Sequence, residues 1–498
     1  MTTYMFAGDV ELTGSERTSF GWRSVSRPAQ NGPVTPKTLF DKIWDQHVVR
    51  ELDDGWALLH VDRHLLHDLS GPPALDELTS RSLGIRNPDL SFATPDHLVT
   101  SSPDRRVDPD GAPTKWASMR DATRLVNIPV FDVDSAFQGI VHVMGPELGL
   151  VLPGSTLVCS DSHTCTNGAF GAIAIGVGSS QSAQVLAAQV LRLKRPSSVR
   201  LTIEGTLPFG VRAKDVALRM ISRFGTAAAN GCAVEYAGST VRSMSMEERM
   251  TLCNLSVELG ARTGIVAPDD TTTAWLAGRP YAPSGDLWDQ AVASWRSLET
   301  DEGAIFADEW FLDVSALAPM ITWGTSPEHG MAITEAIPDP ADAPNSEVAA
   351  AWTSALAYMD LRPRQRLDGL RIDRVFIGSC ANSRLSDLRD AARVVHGRKV
   401  ASHVTAWVVP GSEQVRAQAE AEGLHQVFQD AGFIWRRPGC SMCVAANGER
   451  VPPFERCVST SNRNFVGRQG PNARTHLASP AMAAAAAIVG ALTDVRSL

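Results

Sequence analysis

An α/β protein of several domains is predicted on three observations. The chain has 498 residues, more than one hydrophobic core organises, so about two to four domains are expected. From Pro36 onward, apolar-periodic helical stretches alternate with short β-branched runs, the pattern of sheets covered by helices. Two changes of composition divide that alternation into three blocks.

Residues 1–34 mix Thr, Ser, Arg, Pro and acids without periodicity and are expected to form a loose tail. The first block, 35–198, holds strand candidates at 149–153 and 156–159. The glycine-rich run Gly168–Gly178 follows, then a helical pattern through Val190. Lys194-Arg-Pro-Ser-Ser198 closes it, and a strand candidate at 199–203 opens the second block, 199–320. The Pro/Asp/Ala-rich stretch 337–345 interrupts the pattern again early in the third block, 321–498. That block carries strand candidates at 374–377, 404–409 and 433–435, and it ends in a small-residue helical run, Ala481–Gly490.

The bulk properties exclude several classes. A formal net charge of −9 argues against nucleic acid or an anionic membrane as the main partner. The longest apolar run falls short of the ~20 residues that cross a bilayer. The first residues lack the basic start and apolar block of a signal peptide. Eight cysteines in so long a chain do not make a disulfide framework, and Cys159 and Cys253 sit in apolar surroundings as buried small residues. A reducing, cytoplasmic setting is expected.

Three other cysteines stand in a suggestive arrangement. Gly378-Ser-Cys380 leaves a strand candidate directly, and Pro438-Gly-Cys440-Ser-Met-Cys443 comes sixty residues on. Loops leaving strand C-termini are where ligands gather in α/β sheets. A structural zinc site wants a fourth ligand, and neither motif has one nearby. Three thiolates on an iron–sulfur cubane would leave one iron open to act as a Lewis acid. By spacing alone, a redox Cys-x-x-Cys with an unrelated buried cysteine is as good a reading.

The surrounding segments carry a family resemblance. Asp161-Ser-His-Thr164, Gly378-Ser-Cys-Ala-Asn-Ser383, Pro438-Gly-Cys-Ser-Met-Cys443 and Ser459-Thr-Ser-Asn-Arg-Asn-Phe465 resemble the aconitase superfamily, most closely the large subunits of 3-isopropylmalate dehydratases. The likeness runs in the family's order from about Thr35 to the C-terminus. It implies three α/β/α domains around a cluster cleft, without the fourth, swivelling domain, which the dehydratases carry on a separate small subunit. It implies a [4Fe–4S] cluster held by Cys380, Cys440 and Cys443 with one open iron. The implied partners are that small subunit and a small dicarboxylate hydroxy-acid, isomerised by dehydration and rehydration.

The resemblance also assigns residues. Asp96-His97 matches the acidic-residue/histidine pair near the departing hydroxyl, and His142 a further catalytic histidine. Asp161, His163 and Glu258 match the network around the iron-bound water, with Ser162 between the first two. Arg463 and Arg468 match two arginines suited to bidentate carboxylate binding. Asn462 and Asn382 are expected to position substrate or cluster sulfurs, and His67 to face substrate. Without the resemblance, Asp96-His97 reads as a turn, His142 as a strand residue, Glu258 as a solvated helix residue and the arginines as surface charge.

Several neighbours depart from the family pattern: Ala381 for threonine, Asn167 for histidine, Gln181, Ala183 and Gln184 for titratable residues, and Cys232 for histidine. They raise the alternative of a paralogue acting on another 2-substituted malate, homoaconitase-like or in specialised metabolism. A cluster-bearing RNA-binding regulator is disfavoured by the acidic balance, and a catalytically dead scaffold by the retained cysteines and charged residues.

Overall fold

The structure, a computed structural model, describes residues 35–103, 105 and 116–498; the tail expected at 1–34 lies outside the described residues. Three parallel sheets make the scaffold. The first orders its strands Ser91–Thr94, Arg63–His67, Thr156–Cys159, Ile173–Gly176. The second runs Thr263–Val266, Ala233–Ala237, Ser198–Glu204, Asp308–Asp313. The third runs Ile434–Trp435, Thr405–Val408, Arg374–Ile377, Arg456–Ser459, Arg474–Leu477. An antiparallel sheet of Val48–Glu51, Trp56–His60 and Val190–Lys194 flanks the first.

The central strands read as continuous apolar runs because helices cover both faces of a parallel sheet. Thr156–Cys159 and Arg456–Ser459 are buried at every position. One apolar core, from Leu39 to Val314, joins the first two sheets. A second surrounds the third sheet, and Ile140 and Val143 reach into it from the first block. The closing helix Pro480–Val489 buries its alanines in that second core. Proline in its first turn and left-handed Gly490 just past its end bound it.

Three local expectations are corrected. Residues 149–153 are not a strand: Gly149 ends the helix Val141–Leu148 in a left-handed conformation, and Leu150–Leu152 then lie buried without a ladder partner. The helical pattern stops at Ala188, because Gln189 turns left-handed and Val190 enters a strand. His142 lies in the first turn of a helix, not in a strand.

Sheet topology decides which loops meet. Asp68, Asp96-His97 and Asp161–His163 leave the carboxyl ends of three adjacent strands of the first sheet. Cys380 and the segment Thr460–Arg463 leave the carboxyl ends of adjacent strands of the third. In an open parallel sheet that edge is where loops can converge on a ligand.

Candidate active site

The cysteines come first. Cys380, Cys440 and Cys443 are free and buried. Cys380 Sγ receives two amide N–H groups, from Asn254 at 3.2 Å and Asn462 at 3.3 Å. Asn462 Oδ1 also lies 3.5 Å from Cys443 Sγ, so one side chain bridges both cysteine motifs. Cys440 Sγ stands 3.9 Å from His97 Nδ1. Burial pushes the Cys380 thiol up to about 12 and the Cys440 thiol well above its ordinary value.

The turns that present these sulfurs are strained. Ser379 (φ +83°) and Ser441 (φ +49°) adopt left-handed conformations beside Cys380 and Cys440. Such residues cost of order 1–3 kcal/mol each and persist where surroundings over-determine them. For Ser441 the determinant is Glu449, a buried carboxylate that accepts from Ser441 Oγ (2.6 Å), Thr100 Oγ1 (2.6 Å), Ser101 N (2.9 Å) and Arg436 Nη2 (2.7 Å). The Cys440 amide donates to the Asp96 carbonyl at 2.7 Å. The Cys-x-x-Cys turn is thereby fastened to the loop that carries Asp96-His97.

A relay of charged groups faces the sulfurs. His97 directs Nδ1 at Asp96 Oδ1 (2.5 Å) and Nε2 at Asp161 Oδ2 (3.3 Å). Both nitrogens meet carboxylates, so the ring carries both protons. Burial opposes that charge, but the Asp96 and Asp161 carboxylates outweigh it and hold the His97 pKa well above its ordinary value. Burial likewise opposes ionisation of Asp161, and hydrogen bonds from His142, His163 and His97 outweigh it, holding that carboxyl well below its usual range. His142 Nε2 lies 3.1 Å from Asp161 Oδ1, and the His163 amide donates to the same oxygen at 2.7 Å.

The relay continues outward. His163 Nε2 lies 3.0 Å from Glu258 Oε1, which also accepts from Arg463 Nε at 2.6 Å. Glu258 is therefore a buried member of the site, not a solvated helix residue, and His163 and Arg463 overcome its burial to hold its carboxyl below the ordinary range. Arg463 Nη1 donates to Ser162 Oγ at 2.9 Å. His67 stacks on His97 with ring centroids 4.3 Å apart, and burial with the neighbouring His97 charge pushes it down to about 4.

Asn382 and Arg468 stand outside this relay. Asn382 is buried, but its Nδ2 donates to Thr251 Oγ1 and Asp387 Oδ1, and its Oδ1 has no partner; it braces the Cys380 loop without touching a sulfur. Arg468 stacks on Phe465 and, among the described residues, makes no ion pair with a carboxylate. Its guanidinium stays available to a ligand's carboxylate.

A second donor cluster invites a metal reading. One donor atom each of His67, Asp68, Asp96 and His97 lies within 4.8 Å of the others. Their lone pairs are already committed. Asp68 accepts the backbone N–H groups of Asp96, His97 and Leu98 at 3.3, 2.9 and 2.8 Å, and Asp96 is paired with His97. The three cysteines suit a thiophilic group: their sulfurs are unbonded to one another, and two amide N–H donors, which favour a charged sulfur, meet Cys380. They fit an iron–sulfur cluster, and the cluster of four does not fit a hard cation.

Residues 41–490 match the model of the aconitase family (aconitate hydratase). The chain belongs to the aconitase family. It is 56% identical over 93% of its length to a protein named 3-isopropylmalate dehydratase large subunit 1 from Bradyrhizobium diazoefficiens, covering 97% of that protein. It is 51% identical over 93% of its length to the 3-isopropylmalate dehydratase large subunit of Roseiflexus castenholzii, covering 99% of it. The holo-form crystal structure of Thermococcus kodakaraensis aconitase X matches 86% of this chain and 89% of that one at a TM-score of 0.45 and 10% identity, too loosely to carry weight.

In this aconitase-family chain, only some departures from the family pattern lie beside the cysteines and the histidine–carboxylate relay. Gln181, Ala183 and Gln184 lie on the helix Ser179–Ala188, where Ala183 packs in a small apolar cluster with Leu66 and Leu75. Cys232 directs its sulfur at the Asn230 carbonyl beside the second sheet. Ala381 and Asn167 are fully buried at the site. Sequence reasoning misses Asp68, Glu449 and the buried Lys214, whose Nζ donates to the Thr460 carbonyl at 3.1 Å and to the Ser461 carbonyl. Lys214 sits 246 residues from Thr460, so no local pattern links them.

The His97 charge has a measurable consequence. Its folded pKa is raised, so its stabilising contribution is full below the unfolded value, about 6.5, and is lost as pH rises through the folded value. Chemical denaturation of the parent and His97→Gln should differ by a constant margin below about pH 6.5 and converge at alkaline pH. A margin that shrinks toward acid pH between about 6.5 and 5 would contradict a protonated His97.

Proposed function

We infer that this chain is the large subunit of a hydro-lyase that isomerises 2-isopropylmalate to 3-isopropylmalate by dehydration and rehydration. The observation that carries it is the meeting of three free, buried cysteines with the His97–Asp161–His163–Glu258–Arg463 relay at one edge of two parallel sheets. Cys380, Cys440 and Cys443 would hold a [4Fe–4S] cluster. When bound, it supplies an iron without a protein ligand, a Lewis acid for a substrate oxygen.

This chain's own residues supply the proton for the leaving hydroxide and the contacts to the carboxylates. Hydroxide leaves poorly from carbon, so a proton must be delivered as the bond breaks. His97 holds that proton at Nε2, with Asp96 fixing the opposite nitrogen. Asp161 orients His97 and stays ionised, the His163 amide holds Asp161, and His97 takes its proton back from the water that adds at the neighbouring carbon. The proton on carbon is removed and returned by a base that we assign to the small subunit. Arg463 and Arg468 bind the two substrate carboxylates, Arg463 already braced by Glu258 and Ser162. His67 stacks on His97 and His142 meets Asp161, and Asn254 and Asn462 stabilise charged sulfur at Cys380.

A small subunit is the partner, and we assign to it a closing domain that completes the substrate pocket. Phe465 and Val466 are 49% and 59% exposed directly beyond Arg463, an apolar surface suited to such a chain. Each of the blocks 35–198, 199–320 and 321–498 is proposed as a domain, since each is centred on one parallel sheet. Among the described residues no helix is long and apolar enough to cross a membrane.

Anaerobic reconstitution with iron, sulfide and a candidate small subunit, followed by hydration assays on alkylmaleates, tests this reading. Turnover that requires both chains and prefers the isopropyl substituent is expected. A clear preference for another malate analogue would displace isopropylmalate in favour of the paralogue reading, and RNA retention without turnover would remove the enzyme reading altogether.

A further inference from the structure

His142 is fully buried, with Nε2 3.1 Å from Asp161 Oδ1 and Nδ1 3.3 Å from Asn167 Nδ2. A neutral imidazole carries one proton, and its neighbours decide which nitrogen holds it. Asn167 decides it here, because its own orientation is fixed independently. Its Nδ2 lies 2.9 Å from the Thr164 carbonyl, an acceptor to which only the NH₂ end can donate. Turned over, the amide would set its oxygen against that carbonyl, two acceptors face to face. The observed orientation leaves Asn167 Oδ1 buried without a partner, so the side chain is held by what its nitrogen does.

With one NH₂ hydrogen on Thr164, the other points at His142 Nδ1, which must then present a lone pair. We propose that Asn167 is a positioning residue that locks His142 into the tautomer protonated at Nε2, so that His142 donates to Asp161 Oδ1. Asp161 then receives hydrogens from His142 Nε2, His97 Nε2 and the His163 amide, and stays ionised between its donors. A second proton on His142 would have to enter at Nδ1, against the Asn167 hydrogen. His142 therefore donates from Nε2 and holds Asp161 in place. The catalytic consequence rests on the proposed hydro-lyase reading; the tautomer does not.

The test is ¹⁵N NMR on the full chain labelled at histidine, prepared anaerobically, with His142→Gln identifying the resonance. The parent should show a pyridine-type Nδ1 and a protonated Nε2 at His142. Asn167→Ala removes the lock and should move the signal toward a tautomer mixture; Asn167→Asp, which accepts from Nδ1–H, should protonate Nδ1. In the reconstituted enzyme, kcat should fall at least about tenfold in Asn167→Asp with KM changed little, as expected for a group acting through proton position. A parent already protonated at Nδ1, or an Asn167→Ala chain that keeps a pure Nε2–H signature, would overturn the assignment. Correct NMR signatures in a chain that, reconstituted with cluster and small subunit, hydrates no alkylmaleate would leave the tautomer lock standing and sink the functional reading instead.

Discussion

Asp161→Asn is expected to lower turnover about a thousandfold or more while leaving cluster content unchanged. Asp161 lies between His97, His142 and His163 and accepts from all three. An asparagine of the same shape must turn an NH₂ toward at least one of those donors, placing hydrogen against hydrogen. It also strips from His97 one of the two carboxylates that hold its second proton, so the proton donor is weakened and misaimed together. The effect should fall on kcat, because Asp161 contacts the proton-carrying groups and not the arginines that bind carboxylate. Iron and sulfide analysis of the same preparation separates this from cluster loss. Turnover within about tenfold of the parent at normal iron content would refute the relay.

Much of the scaffold is legible in the chain because parallel strands covered on both faces leave a plain signature. Thr156–Cys159 and Arg374–Ile377 are short, continuous β-branched or apolar runs, and both are strands. The same signature misleads at 149–153. There the composition is that of a strand, but left-handed Gly149 sends the chain through the core with no neighbour in ladder register. Gln189 is equally opaque: nothing in a glutamine announces a left-handed helix end.

The site divides along a similar line. Residues in dense local motifs, such as Asp161-Ser-His163 and the Cys440–Cys443 turn, are legible because their neighbours identify them. Glu258 is legible by resemblance alone, since burial of a helical glutamate depends on His163 and Arg463, 95 and 205 residues away. Glu449 and Lys214 escape for the same reason: their partners arrive from distant loops, and their chemistry is that of supports. Asn382 shows the reverse limit. A motif places a residue at a site but does not say which way its side chain turns.

Cys380→Ser is expected to reduce bound iron and sulfide by well over about tenfold, a larger loss than changing an outer hydrogen-bonding residue gives. Asn254 and Asn462 each aim an N–H at this sulfur. A hydroxyl is a harder, poorer ligand for iron, and its shorter bond withdraws the donor atom from both amides. Cys440 and Cys443 come from a single turn and grip one side of a cluster at most. The fold should survive, because Cys380 in the cluster-free chain is a neutral buried thiol, pushed up to about 12 by burial, and serine removes no charge from it. Circular dichroism of the variant should therefore overlay on that of the cluster-free parent. The same raised thiols give loading a pH sign. Protons must leave Cys380 and Cys440 as iron binds, so uptake by the parent should strengthen as pH rises and weaken toward acid. Unchanged iron in Cys380→Ser, or uptake by the parent that improves on acidification, would mean these sulfurs are not what holds the metal.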